Sequence, residues 1–161
     1  MSAADCKLRP MRPEWVDQLA TELSMIDPWL RLGFGKQKFS VLLSGREPDV
    51  TCLAIIQSED HLSGVVILRH RWLFGPYLRI FGVLPSGQGQ GIGAAAMNLL
   101  CDQLAASGEE NLWACVSAFN KKAIAFYEGN GFEVIGCLEE LVVPNEDELL
   151  IRKRLIKKQS A

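Results

Sequence analysis

The sequence is poor in residues that bind metals. It has two histidines, His61 and His70, and five widely spaced cysteines, Cys6, Cys52, Cys101, Cys115 and Cys137. No two of these form a Cys-x-x-Cys pair, so the close ligand pairs of a structural zinc site are missing and no metal is expected. An odd number of scattered cysteines also argues against a disulfide framework. Reduced, mostly buried thiols in a cytoplasmic protein are expected instead. There is no excess of either charge: 17 basic and 19 acidic side chains leave a net charge of −2. A protein that holds nucleic acid usually carries a basic excess, so no nucleic-acid partner is expected. Long apolar runs are also missing. The longest, Gly64–Leu68 and Ile92–Met97, fall far short of the roughly 20 residues that span a bilayer, so no membrane partner is expected. Asp5, Lys7 and Arg9 leave no apolar segment near the start, and no secretory leader is expected. With 161 residues the chain suits a single domain, 1–161, around one core.

What is present alternates strands with helices, which predicts an α/β (α+β) layered architecture. Asp5–Arg9 reads as a first strand. Pro13 suits the first turn of a helix, and Trp15, Leu19, Leu23 and Ile26 give that helix an apolar face. Asp27-Pro28 should stop it, because a residue before proline avoids helical angles. The segment 29–48 reads as a short helix flanked by loops. Asp49–Gln57 and Ser63–Arg71 read as an antiparallel hairpin around Ser58–His61, followed by a strand at Tyr77–Val83. The expected remainder is a helix at Ile92–Ala106, a strand at Leu112–Ser117, a helix at Lys121–Asn130 and strands at Phe132–Leu138 and Glu146–Leu155. The strand–helix–strand unit in the middle calls for parallel pairing. The tail with Lys157, Lys158 and Gln159 reads as a solvated end.

The most informative segment is Val83-Leu84-Pro85-Ser86-Gly87-Gln88-Gly89-Gln90-Gly91-Ile92-Gly93-Ala94, which leaves a strand and opens a helix. The first amides of a helix lack internal partners and the macrodipole adds positive character there. Glycines remove the Cβ atoms that would keep a bulky anion away. The segment therefore reads as a phosphate cradle. It is not a P-loop, since no Lys-Ser or Lys-Thr follows the glycines. A dinucleotide fingerprint is an alternative: Gly89-x-Gly91-x-x-Ala94 fits its looser form, and Glu109 and Glu110 stand near the expected ribose acid. Against it, antiparallel pattern precedes the turn, and only 67 residues follow Ala94.

Gln88-x-x-Gly91-x-Gly93 resembles the acyl-CoA signature of the GNAT superfamily of N-acetyltransferases, Gln/Arg-x-x-Gly-x-Gly/Ala. Val83-x-Pro85 is similar to the strand ending that precedes it. Downstream, Asn120, Ala123, Tyr127, Gly131 and Phe132 resemble the family's Asn-x-x-Ala-x-x-x-Tyr-x-x-x-Gly-Phe. The resemblance covers about residues 77–138. It implies a mixed, twisted central sheet of about six or seven strands with helices on both faces, splayed between strands 4 and 5. It also implies acetyl-CoA as acetyl donor. The pantetheine arm would lie along the edge of the fourth strand at Phe81, Gly82 and Val83. The pyrophosphate would lie on the amides of Gln88, Gly89, Gln90, Gly91, Ile92, Gly93 and Ala94, with Asn120 as a further coenzyme contact or a plain helix cap. Gly82 fits either a bulge or a close backbone approach. The family commonly forms homodimers, some with exchanged late strands.

Transfer of an acetyl group to a small-molecule or peptide amine needs a neutral amine. A lysine-like amine is neutral in only about one molecule in two thousand at pH 7, so a base or a pKa-lowering site is expected. By the same resemblance Tyr127 is the general acid at the sulfur; from spacing alone it reads rather as a packing aromatic beside Phe126. The base is open. Five residues before Asn120, where N-terminal acetyltransferases often carry Glu, stands Cys115, and Tyr77–Val83 contains no Glu. Glu22, Asp27, His70, Glu139 and Glu140 remain candidates. Cys115 as a nucleophile is an alternative to direct attack on the thioester. The acceptor pocket is expected from 25–40 and the loops at 70–77 and 139–146, with Trp29, Phe34, Trp72 and Tyr77 as candidate walls. A non-catalytic acyl-CoA-binding module is the remaining alternative.

Overall fold

A computed structural model describes residues 5–156; the basic tail read from the sequence lies outside the described residues. Seven strands form one sheet in the order β1-β2-β3-β4-β5-β7-β6. The strands are β1 (Cys6–Pro10), β2 (Val50–Gln57), β3 (Leu62–Arg69), β4 (Tyr77–Val83), β5 (Asn111–Ser117), β6 (Glu133–Val143) and β7 (Glu146–Arg154). The helices are α1 (Pro13–Ser24), α2 (Lys36–Leu43), α3 (Ile92–Ala106) and α4 (Lys121–Gly129). All strand contacts are antiparallel except β4 with β5. Among the described residues no helix is long and apolar enough to cross a membrane.

Two differences from the sequence reading matter. α1 ends at Ser24, short of Asp27-Pro28, and the last two strands form a hairpin whose first arm runs to Val143. That hairpin places β7 between β5 and β6, so the last strand in the chain is an interior strand. Its neighbours cover both edges and give its side chains a buried setting that their order in the sequence does not announce.

The sheet separates two cores. On one face α3 and α4 pack Ile92, Met97, Leu100 and Tyr127 against Val66, Leu112, Ala114, Val116 and Ile151. On the other face α1 and α2 pack Leu19, Leu23, Phe39 and Leu43 against Ala54, Val65, Ile67 and Ile80. Side chains alternate faces along a strand. Leu78 and Ile80 nevertheless belong to opposite cores, because a bulge interrupts the pairing of β3 with β4. Ile67 faces Ile80 and Leu68 faces Leu78, which leaves Arg79 as the extra residue. The bulge is thus at Arg79 and not at Gly82. Gly82 serves close packing: a Cβ there would lie 2.8 Å from Leu23 and 3.0 Å from Trp29.

Candidate active site

The Arg79 bulge sits where two strands part. β4 and β5 pair only at Tyr77↔Trp113 and Leu78↔Ala114. Beyond those pairs the β4 edge from Arg79 to Val83 has no partner strand on the β5 side among the described residues. A cavity of about 630 Å³ opens in this gap. It is lined by Phe81, Gly82, Val83, Gln88, Gly89, Gly91, Ile92, Gly93, Ala94, Asn120 and Tyr127, which are sequence-predicted site residues. Gln90 does not line it; its Nε2 donates to Ser86 O at 2.9 Å.

The glycine turn is shaped as a cradle. Gly89 and Gly91 have φ of +74° and +76°, where side chains are strained, and a Cβ on either would meet nothing within 4 Å. Gly91 is the N-cap of α3, and Ala95 N donating to Gly91 O at 3.1 Å is the first bond of the helix. Ile92, Gly93 and Ala94 therefore present helix-start amides to the cavity mouth. The side chains of the two glutamines hold the turn together. Gln88 Nε2 donates to Val83 O at 3.0 Å and ties the turn to the strand that precedes it, while the Gln90 bond closes within the turn. Asn120 caps α4, its Oδ1 accepting from Ala123 N at 3.2 Å, while its side chain also faces the cavity. The cap leaves the amide nitrogen free to donate.

Tyr127 is 9% exposed, wedged edge-on against Phe126 and Phe132, with ring centroids 5.5 and 5.1 Å away. It is a core residue and a cavity residue at once. Burial, and then the neighbouring Cys115, push its hydroxyl pKa upward, so the phenol keeps its proton at neutral pH.

On the opposite face lies a carboxylate that sequence reasoning missed. Leu112, Ala114 and Val116 point into the α3–α4 core, so alternation turns Trp113, Cys115 and Ser117 the other way. Ser117 is registered with Glu148 on β7. Its Oγ donates to Glu148 Oε1 at 2.7 Å. Glu148 is 4% exposed and lines the cavity. Burial raises its pKa; the Ser117 hydrogen bond works against that rise and Glu146 adds to it. A carboxyl that is nearly sealed, held by a hydroxyl and open only to a cavity is a candidate base. The sequence hid it among Glu146, Asp147 and Glu148. Only the insertion of β7 beside β5 buries the third of these acids.

The other acids named from the sequence are placed elsewhere. Glu22 accepts from Gln18 on the surface of α1, and Glu140 accepts from Asn145 N in the β6–β7 turn. Glu139 is exposed, and His70 is paired with Thr51 at 2.7 Å. Asp27 does line the cavity, but its Oδ1 already accepts from Arg31 N at 3.2 Å. Cys115 also lines the cavity, and its thiol pKa is raised, chiefly by burial, which disfavours the thiolate a nucleophile needs. Trp29, Phe34 and Tyr77 form walls as expected, as do Leu141 and Val142 of the β6–β7 hairpin. Trp72 does not line the cavity. It packs tilted against Tyr77 and edge-on against Trp113, with centroids 5.0 and 5.7 Å away.

The family model described as the acetyltransferase (GNAT) family matches residues 12–132. Solved structures share the fold at low identity. The ribosomal-protein-S18-alanine N-acetyltransferase from Escherichia coli is 21% identical, with a TM-score of 0.74 over 97% of each chain. An aminoglycoside 6'-N-acetyltransferase complexed with coenzyme A is 16% identical, with a TM-score of 0.76 over 97% of this chain and 99% of that one. The spermidine N-acetyltransferase from Vibrio cholerae, in complex with CoA and spermine, is 17% identical, with a TM-score of 0.76 over 93% of this chain and 95% of that one.

Proposed function

The chain belongs to the acetyltransferase (GNAT) family, and from that premise we propose that it moves an acetyl group from acetyl-CoA to a primary amine by direct attack, with Glu148 as base and Tyr127 as acid. One observation carries this reading. Glu148 and Tyr127 line the same cavity from opposite faces of the sheet, at the gap between β4 and β5. The reaction needs a proton removed on the acceptor side and a proton supplied on the thiol side, and the sheet separates two groups suited to those tasks.

The residues present fit the coenzyme. The unpaired edge of β4 offers backbone groups to an extended arm, as an added strand would use them. The amides at the start of α3 and the bare Gly89 and Gly91 suit a pyrophosphate, and Lys122 on the cavity wall adds a cation. When bound, acetyl-CoA supplies the acetyl group as an activated thioester. Glu148 Oε2 is the oxygen not bonded by Ser117, and it takes the proton from the incoming ammonium. Tyr127 Oη, held protonated by burial, gives its proton to the departing sulfur and is restored by the second proton that the nitrogen sheds as the amide forms. Apolar walls keep water from the thioester. All five thiols are free, which fits a reducing, cytoplasmic setting.

The test is a pair of measurements on the full chain. Isothermal titration should show saturable binding of acetyl-CoA and none of NAD. A thiol-release assay across a panel of amines should show turnover with at least one. Binding of NAD in preference to acetyl-CoA, or coenzyme binding without thiol release for every amine, would refute the reading.

A further inference from the structure

The acceptor half of the cavity is built differently from the coenzyme half. Its walls are Pro28, Trp29, Leu32 and Phe34 from the segment between α1 and α2, with Leu141 and Val142 from the β6–β7 hairpin. Trp29 and Phe34 are fixed against Phe39 of α2, with ring centroids 5.6 and 6.3 Å away, so they are rigid surfaces. Leu141 is 55% exposed, a high value for leucine, and it stands at the cavity rim.

The charges on the wall point the same way. The acids are Asp27 and Glu148, and the bases are Lys38, Arg79 and Lys122. Asp27 Oδ1 accepts from the Arg31 amide, and Glu148 is the base of the reading above. Arg79 is tied to Glu47 at 3.1 Å, and Lys38 lies over the Phe34 ring at 3.7 Å. A long polycation would need several carboxylates spaced along its length, and beyond the one that meets the reacting amine the wall offers only Asp27. It would also pass Lys38. An amine on an apolar body would bury that body against Trp29, Phe34, Leu141 and Val142 and remove apolar surface from water.

We infer that the acceptor is a primary amine on a single apolar body, aliphatic or aromatic, with no second cation, its amine directed to Glu148 and its body held by Trp29, Phe34, Leu141 and Val142. This rests on the transferase reading of the same cavity. Two sources share the chemistry: a free small amine, and the α-amine of a peptide that begins with an apolar residue.

The probes are 2-phenylethylamine, a tetrapeptide Met-Leu-Gly-Ser amide, spermidine and kanamycin, with kcat/KM read by thiol release and binding read by calorimetry in the presence of CoA. One of the two apolar amines should exceed spermidine and kanamycin by on the order of 10²-fold in kcat/KM, and by a similar ratio in binding. Which of the two leads identifies the source. Leu141→Asp, at an exposed position that folding tolerates, should lower the apolar amine's kcat/KM about tenfold and raise that of spermidine. Spermidine or kanamycin equal to or better than both apolar amines would overturn the inference and leave the transferase standing. Tight binding of an apolar amine without thiol release would do the reverse. Binding of none of the four would overturn the inference outright.

Discussion

The two ends of the cavity are made of different material. The end proposed for the coenzyme is mostly backbone: the edge of β4, the amides opening α3, and glycines that keep the approach clear. The end proposed for the acceptor is side chains: two aromatic rings, a rim of aliphatic groups and a buried carboxylate drawn from segments more than 100 residues apart. Backbone features repeat in any chain that adopts the local geometry, whereas a side-chain pocket is rebuilt by each substitution. The first end suits a cosubstrate common to a family and the second suits an acceptor particular to one member.

Breaking the acceptor side should have the largest effect. Glu148→Gln should lower kcat/KM by about 10²–10⁴, the range for loss of a general base, in steady-state thiol release. Its stability should move the opposite way. Because burial raises the Glu148 pKa, folding favours the neutral carboxyl. That contribution is complete below the ordinary carboxylate pKa and is lost as pH rises through the raised value. Glu148→Gln should therefore melt at a higher temperature than the native protein at neutral pH, and the gap should close in acid. The native rate should climb with pH through the raised pKa, a limb absent from the variant. A lower melting temperature at neutral pH would mean that the carboxylate is structural.

Tyr127→Phe sharpens the comparison from the thiol side. Turnover should fall by about 10² or more, with acetyl-CoA affinity nearly unchanged in calorimetry. Unchanged turnover would make the ring a packing residue only.

Gly91→Val tests the backbone end. Its φ of +76° strains any side chain, and a β-branched one most, at a cost of about 1–2 kcal/mol. Acetyl-CoA affinity should drop about tenfold, equivalent to ~1.4 kcal/mol, while kcat at saturating coenzyme stays within a factor of a few. Affinity unaltered would remove the α3 turn from coenzyme binding. The smallest effect belongs to Asn120→Ala, which removes the α4 cap. Stability should fall by about 1 kcal/mol in urea unfolding, and any further loss of coenzyme affinity would report the contact expected from its place on the cavity wall.

The coenzyme end was legible early because its signal is local. A strand ending in Val83, glycines at 89, 91 and 93 and a helix from Ile92 occupy one contiguous stretch, and glycine at positive φ leaves a mark in sequence. Asn120 and Tyr127 are seven residues apart on one helix and were legible for the same reason. Glu148 was not, because nothing local distinguishes it from Glu146 and Asp147. Trp72 misled in the other direction: an aromatic in a loop beside the site was expected in the pocket, but its ring packs against Trp113 and Tyr77 instead.

The sequence by itself therefore determined the alternation of elements, the glycine-rich turn and the place of Tyr127 on its helix, since each depends on backbone angles or on the spacing of one helix. Only the tertiary structure decided the burial of Glu148 at the cavity, the Arg79 bulge and the apolar character of the walls around it. Those depend on which strands become neighbours, and a late strand slipping between two earlier ones changes what is buried without changing any local pattern.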